Sequence, residues 1–222
     1  YAWRNAKWEL AEYLTELCQG PGYDYFRPNF WPNTPDILTE ALQFGGRPMF
    51  MSRLVMAATM TANYGIYGPA YEIMEHVAVK HGSEEYLDSE KYQLRYRSFQ
   101  DLDGPNSLHD FITLVNRIRK RNPALQSNAN LCIHGIENEQ IICYSKATTN
   151  GANVILVVVN LDPNYTQAGM TQLDLAALGV DPHQPFQVHD LLTGAHYLWN
   201  GPRNYVELNP HRMPAHIRID DL

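Results

Sequence analysis

The chain has 222 residues, with 17 Lys and Arg against 24 Asp and Glu, for a formal net charge of −7. That balance argues against nucleic acid and anionic membranes as partners, while a hydrophobic content of 45% supports a real core in one large domain or two modest ones. No apolar run reaches the roughly 18 residues of a membrane-spanning helix, and the longest, 154–159, is strand-length. No positively charged start precedes an apolar segment, so no signal peptide is expected. The chain begins at Tyr1 and enters at once on a helix approach, so it reads as a piece of a larger protein. Cys18, Cys132 and Cys143 make an odd count with no close pair. They read as reduced, partly buried thiols of a cytoplasmic protein, with a Cys132–Cys143 bridge the less favoured alternative.

In chain order, Trp3, Ala6, Leu10, Tyr13, Leu14 and Leu17 recur at helical spacing. Asn5 is the expected cap, and Gly20-Pro21-Gly22 stops the helix. Residues 24–30 read as an aromatic strand, 36–44 as a short helix ended by Gly45-Gly46, 49–60 as a longer helix, and 64–67 as a second strand. A polar connection from Glu75 to about Gly104 follows, and a loop that long inside a compact protein is usually functional. Ser107 with Asp110 opens a helix whose buried stripe is Leu108, Phe111, Ile112, Val115 and Ile118. The basic cluster 117–121 reads as its solvated end, and Asn122-Pro123 terminates it. Beyond Pro123 the spacing predicts short strands at 131–136, 141–145, 154–160, 171–175, 186–190, 197–199, 205–208 and 215–219, the pattern of an antiparallel sandwich. The expected division is 1–125, α/β, and 126–222, all-β.

Asn33-Thr34-Pro35-Asp36 follows the first strand, and an Asp just past a strand's C-terminal end is where a (β/α)8 barrel puts its chemistry. The second strand, Tyr64-Gly65-Ile66-Tyr67, leads to Glu72 and then to Ser89-Glu90-Lys91-Tyr92. With Trp3-Arg4-Asn5 and the run from Leu156 to Pro163, these blocks resemble the α-1,4-glucan:maltose-1-phosphate maltosyltransferases of the α-amylase superfamily, from Tyr1 to about Ile219. The resemblance implies the last strands and helices of a (β/α)8 barrel followed by an antiparallel β-sandwich domain. One departure stands out: Gly65-Ile66-Tyr67-Gly68-Pro69-Ala70-Tyr71-Glu72 carries one residue more than the family's pattern, and a Pro.

By resemblance Asp36 is the transition-state stabiliser, the third acid of a retaining site that works through an oxocarbenium-like state. Read from the residues alone, it serves equally as a helix N-cap. Asn33 would steady the Asp36 loop, or be a plain turn residue. Lys91 and Tyr92 would bind maltose 1-phosphate, Lys supplying a point charge and Tyr an apolar face with a polar tip. Their bland alternatives are a surface partner for Asp88 or Glu90 and core packing. Trp3 reads as a core residue of the first helix, with sugar stacking the alternative. No metal spacing and no Gly-rich phosphate loop is present in the sequence, so no cofactor is expected.

The implied activity is transfer of maltosyl from α-maltose 1-phosphate to the non-reducing end of an α-1,4-glucan, with phosphate leaving. It belongs to glycogen-like glucan synthesis in a bacterial cytoplasm. Nothing in the chain matches the superfamily's nucleophile or general acid, so the chain alone is expected to be inactive and to pack against the remainder of the barrel, with a homodimer allowed. Two alternatives stand beside this: another α-glucoside enzyme such as a trehalose synthase, and a non-catalytic carbohydrate-binding module. Lys91-Tyr92 and the Asn33-led turn argue against the first, since hydrolytic relatives usually carry a His before that Asp.

Overall fold

The structure, a computed structural model, describes residues 3–91, 93–97 and 106–220. Helix α1 (Lys7–Gln19) buries Leu10, Leu14 and Leu17, one stripe at helical spacing. Its start is held by Glu9, whose carboxylate accepts from the Asn5 and Ala6 amides at 3.1 and 2.9 Å. The Asn5 side chain is engaged elsewhere, by Arg53. The helix ends at Gly20. The strand expected over 24–30 shortens to β1 (Asn29–Phe30), because the chain turns on itself after Gly20 and the Phe26 amide bonds back to the Gly22 carbonyl at 2.8 Å.

Helices α2 (Glu40–Phe44) and α3 (Gly46–Met60) lead to β2 (Asn63–Tyr64). β1 and β2 pair in parallel, Asn29 opposite Asn63 and Phe30 opposite Tyr64. A parallel pair needs a crossover, and α3 supplies it, buried at every position from Met49 to Met60. After α4 (Gly68–Glu72), two stretches of the long connection pair locally. The Val79 amide bonds to Glu85 O and the Leu87 amide to Val77 O, each at 2.9 Å. Helix α5 (His109–Arg121) and a 3-10 turn, Pro123–Gln126, close this half.

The second half is antiparallel: β3 (Leu131–Ile136), β4 (Ile141–Ala147), β5 (Val154–Asn160) and β6 (Gln167–Gln172), then, after the short helix α6 (Leu175–Leu178), β7 (Pro185–Asp190), β8 (His196–Asn200), β9 (Tyr205–Leu208) and β10 (Ala215–Asp220). They hydrogen-bond in the order β8-β7-β10-β5-β4-β3-β6-β9. The strand expected at 171–175 lies earlier. Asp174 caps a helical turn instead, accepting from the Ala177 amide at 3.0 Å, and Gly179 ends it at φ 71°.

β4 and β5 are buried on both faces. Ile142, Tyr144, Ile155 and Val157 join one core with Leu10, Phe50, Leu54 and Val115 from the helices. Cys143, Leu156 and Val158, on the opposite face of the same strands, join a second core with Val188, Trp199 and Val206. Cys132 lies opposite Ser145 and Cys143 opposite His134, and Cys18, Cys132 and Cys143 form no disulfide with one another.

Candidate functional site

Just past β1, Trp31 lies against Gly65, where an added Cβ would sit 2.5 Å from the indole ring. Only glycine allows that approach. Asn33 is wholly buried and ties this loop to the segment after β2. Its Oδ1 accepts from the Tyr67 amide at 3.0 Å, and its Nδ2 donates to Tyr67 O at 3.3 Å and to the Tyr86 hydroxyl at 2.8 Å. Burial pushes the Tyr86 phenol up to about 12, against the opposing pull of the Asn33 bond, so it keeps its proton.

Thr34 then pairs with Ile37 across a tight turn, and its hydroxyl accepts from the Asp36 amide at 3.2 Å. The turn sends the Asp36 carboxylate outward, 57% exposed. Asp36 is not a helix cap, since α2 starts four residues later with Thr39 at the cap position.

The segment that follows the short pairing at 85–87 returns to this turn. The Ser89 hydroxyl donates to Pro35 O at 3.1 Å and accepts from the Lys91 amide at 3.2 Å. The Lys91 ammonium reaches Asp36 Oδ1 at 3.2 Å. Asp88 and Glu90, the surface partners considered for Lys91, are held by Arg95 at 2.9 Å and Arg97 at 2.7 Å. The structure therefore brings Asn33, Asp36 and Lys91 together from positions up to 58 residues apart. Tyr92 lies outside the described residues. An ion pair this exposed adds at most about 1 kcal/mol to stability. Its consequence is placement: a carboxylate and an ammonium share one open rim.

Sequence reasoning missed the groups that hold the rim. Tyr67 donates its hydroxyl to Glu90, and Arg97 bridges Glu90 and Glu75. Trp3 is not a core residue: it is 56% exposed, and its indole N–H donates to both Glu84 oxygens at 2.9 and 2.7 Å. Glu84 O in turn accepts from the Leu38 amide at 2.6 Å. A Trp at the start of a helical stripe looks like core; only the folded chain puts a carboxylate against its N–H. Glu72 pairs with His109 at 2.9 Å, a tie between α4 and α5. Among the described residues no group of three or more His, Cys, Asp or Glu is placed to hold a metal ion, and no helix is long and apolar enough to cross a membrane.

Residues 133–219 match the family model described as GLGE, C-terminal. Proteins named α-1,4-glucan:maltose-1-phosphate maltosyltransferase align along nearly the whole chain: 52% identity over 98% of it for Chlorobaculum tepidum, and 49% over 99% for Corynebacterium glutamicum. The chain is a relative of these maltosyltransferases. It spans about a third of the length of the curated relatives it matches, 33% and 32% for the two named. Among solved structures, a variant of AmyP in complex with maltotriose superposes with a TM-score of 0.66 over 98% of this chain and 45% of that one, at 14% identity. The maltogenic α-amylase AmyB from Thermotoga neapolitana gives 0.62 over 96% and 46%, at 12% identity. At those identities the likeness speaks to the fold alone.

Proposed function

We propose that this chain is the C-terminal part of a retaining maltosyltransferase that moves maltosyl from α-maltose 1-phosphate to the non-reducing end of an α-1,4-glucan and releases phosphate. The observation that carries the reading is the apposition of Lys91 and Asp36 across 3.2 Å, in a chain that aligns with maltosyltransferases along 98% of its length. β1 and β2 are then the last two strands of the (β/α)8 barrel, and the Asp36 turn and the 83–91 segment stand on its catalytic rim. Asp36 favours the positively charged, oxocarbenium-like sugar as the bond to phosphate breaks. Lys91, with Tyr92 beside it in sequence, holds the maltose 1-phosphate, and Asn33 keeps the Asp36 turn in register. The nucleophile and general acid come from barrel strands outside this segment, whose remaining wall is its packing partner. The setting is glycogen-like glucan synthesis in a bacterial cytoplasm, which three cysteines without a disulfide suit.

The test is phosphate release from α-maltose 1-phosphate with a glucan acceptor, run on the full-length protein that contains this chain. The full protein should turn over and the 222-residue chain alone should not. Asp36→Asn should lower kcat by roughly 100-fold or more. Turnover by the isolated chain, or an Asp36→Asn enzyme with unchanged kcat, would refute the reading.

A further inference from the structure

Arg97 is the hub of the loop that carries Lys91. Its side chain is 5% exposed. Nε lies 2.8 Å from Glu75 Oε1 and Nη2 3.1 Å from Glu75 Oε2, a two-pronged grip on a carboxylate anchored just beyond α4. Nη1 lies 2.7 Å from Glu90 Oε2. Nη2 also donates to the Tyr67 hydroxyl at 3.1 Å, with the guanidinium 5.5 Å from the Tyr67 ring. Tyr67 holds Asn33 through its backbone, and Asn33 opens the Asp36 turn.

The contacts close a circuit: from the Asp36 turn through Asn33 to Tyr67, from Tyr67 to Glu90, along the chain to Lys91, and back to Asp36. Two carboxylates and one guanidinium meet at its centre. Without the guanidinium, Glu75 and Glu90 would repel each other, and Glu90 would carry its neighbour Lys91 away from the turn. Glu90 drawn inward is what leaves Lys91 facing Asp36.

We infer that Arg97 is a positioning residue for the site, holding Lys91 in reach of Asp36 and so setting how tightly the phosphorylated donor binds. The donor's identity in this statement rests on the maltosyltransferase reading; the placement of Lys91 does not.

The experiment uses the full-length protein with Arg97→Lys, Lys91→Ala and the two combined. Lysine keeps the charge but not the two-pronged geometry. Arg97→Lys should raise KM for maltose 1-phosphate by roughly tenfold or more, with kcat changed less. The double variant should bind the donor no worse than Lys91→Ala alone, because both remove one interaction. Additive losses, or an unchanged KM in folded Arg97→Lys, would overturn the inference, since a merely structural residue would weaken Lys91→Ala further. Should Arg97→Lys fail to fold, Glu90→Gln gives the same test while leaving the Arg97–Glu75 pair intact. Amine labelling, read by mass spectrometry against the exposed Lys80, separates this inference from the function. Lys91 should label more slowly than Lys80 in the unmodified protein and approach its rate in Arg97→Lys or Glu90→Gln. An unmodified protein that releases no phosphate but shows that labelling change would refute the donor assignment alone; a Lys91 rate unmoved by either variant would refute the positioning.

Discussion

Lys146 and His134 lie on the paired strands β4 and β3 and answer burial in the same way, by giving up charge. Lys146 is fully buried, and its ammonium nitrogen has no hydrogen-bond partner among the described residues. Burial brings it down to about 7, with Arg119 pushing the same way and Cys18 opposing. The unfolded chain holds that proton up to about 10.5, so the group penalises the fold fully below pH 7, and the penalty fades as pH rises from 7 to 10.5. Lys146→Met, of similar volume, should raise the melting temperature at pH 7 by about 2–4 °C for each kcal/mol recovered. The gain over the unmodified chain should shrink toward pH 10, as thermal melts at several pH values would show. Burial brings His134 down to about 4, with Asp174 opposing. Its Nδ1 accepts from the Asp174 amide at 3.1 Å, so Nε2 carries the hydrogen toward Ser145 at 2.8 Å. The unfolded chain takes up a proton below about 6.5 and the folded one only near 4. Stability from this group is therefore complete above pH 6.5 and lost as pH falls to 4, on the order of 3 kcal/mol. Urea titrations at pH 7 and pH 4.5 should show a smaller acid loss in His134→Gln than in the unmodified chain.

Among the helices, the end of α3 shows how one element completes another. Its last turn leaves carbonyls without partners, and Arg119 of α5 reaches one of them together with carbonyls just past the helix and in the 3-10 turn. One guanidinium nitrogen donates to Ala58 O at 2.6 Å, Thr61 O at 3.1 Å and Leu125 O at 2.9 Å, and the other to Ala62 O. The basic cluster 117–121 is thus not simply a solvated helix end: Arg119 is drawn inward, and burial lowers its pKa. Helical spacing alone put Ile118 on the buried face; it could not assign Arg119, whose stem is apolar and whose head needs acceptors that only the fold assembles. Arg119→Met should keep the packing and orphan those carbonyls, costing about 2–4 kcal/mol in denaturant unfolding. A loss below about 0.5 kcal/mol would mean that water replaces the guanidinium at no cost.

At the scale of the molecule, the α/β and all-β halves share one core. Leu10, Phe50 and Val115 from the helices lie in the same buried cluster as Tyr144, Val157 and Ile217 from the sheet. Tyr144 adds a hydroxyl contact to Thr59 at 2.5 Å, and Lys7 reaches across to the carbonyls of Ile136 and Asn138 at 3.0 and 3.1 Å. Parts that share a core unfold together. Heating should give one transition, coincident by far-UV circular dichroism and by tryptophan fluorescence; two separated midpoints would mean that the halves melt independently.

The sequence by itself carried the local order: α1 from its leucine spacing, α3 from a segment rich in Met, Ala and Leu, β5 from six consecutive aliphatic residues, and the helix stop at Asn122-Pro123. These follow from periodicity and backbone chemistry, which act over a few residues. The Asn33-Thr34-Pro35-Asp36 turn and Lys91 were singled out through a resemblance rather than through spacing, and the turn forms between Thr34 and Ile37. Only the tertiary structure decided that Trp3 meets Glu84, that Arg119 feeds α3, and that Asp36 faces Lys91 while Arg97 takes Glu75 and Glu90. Most of these contacts join charges or donors that lie tens of residues apart, and electrostatic partners leave no period in a sequence. They are chosen when the packing of apolar faces brings certain side chains within a few ångströms and removes the water that would have served them instead.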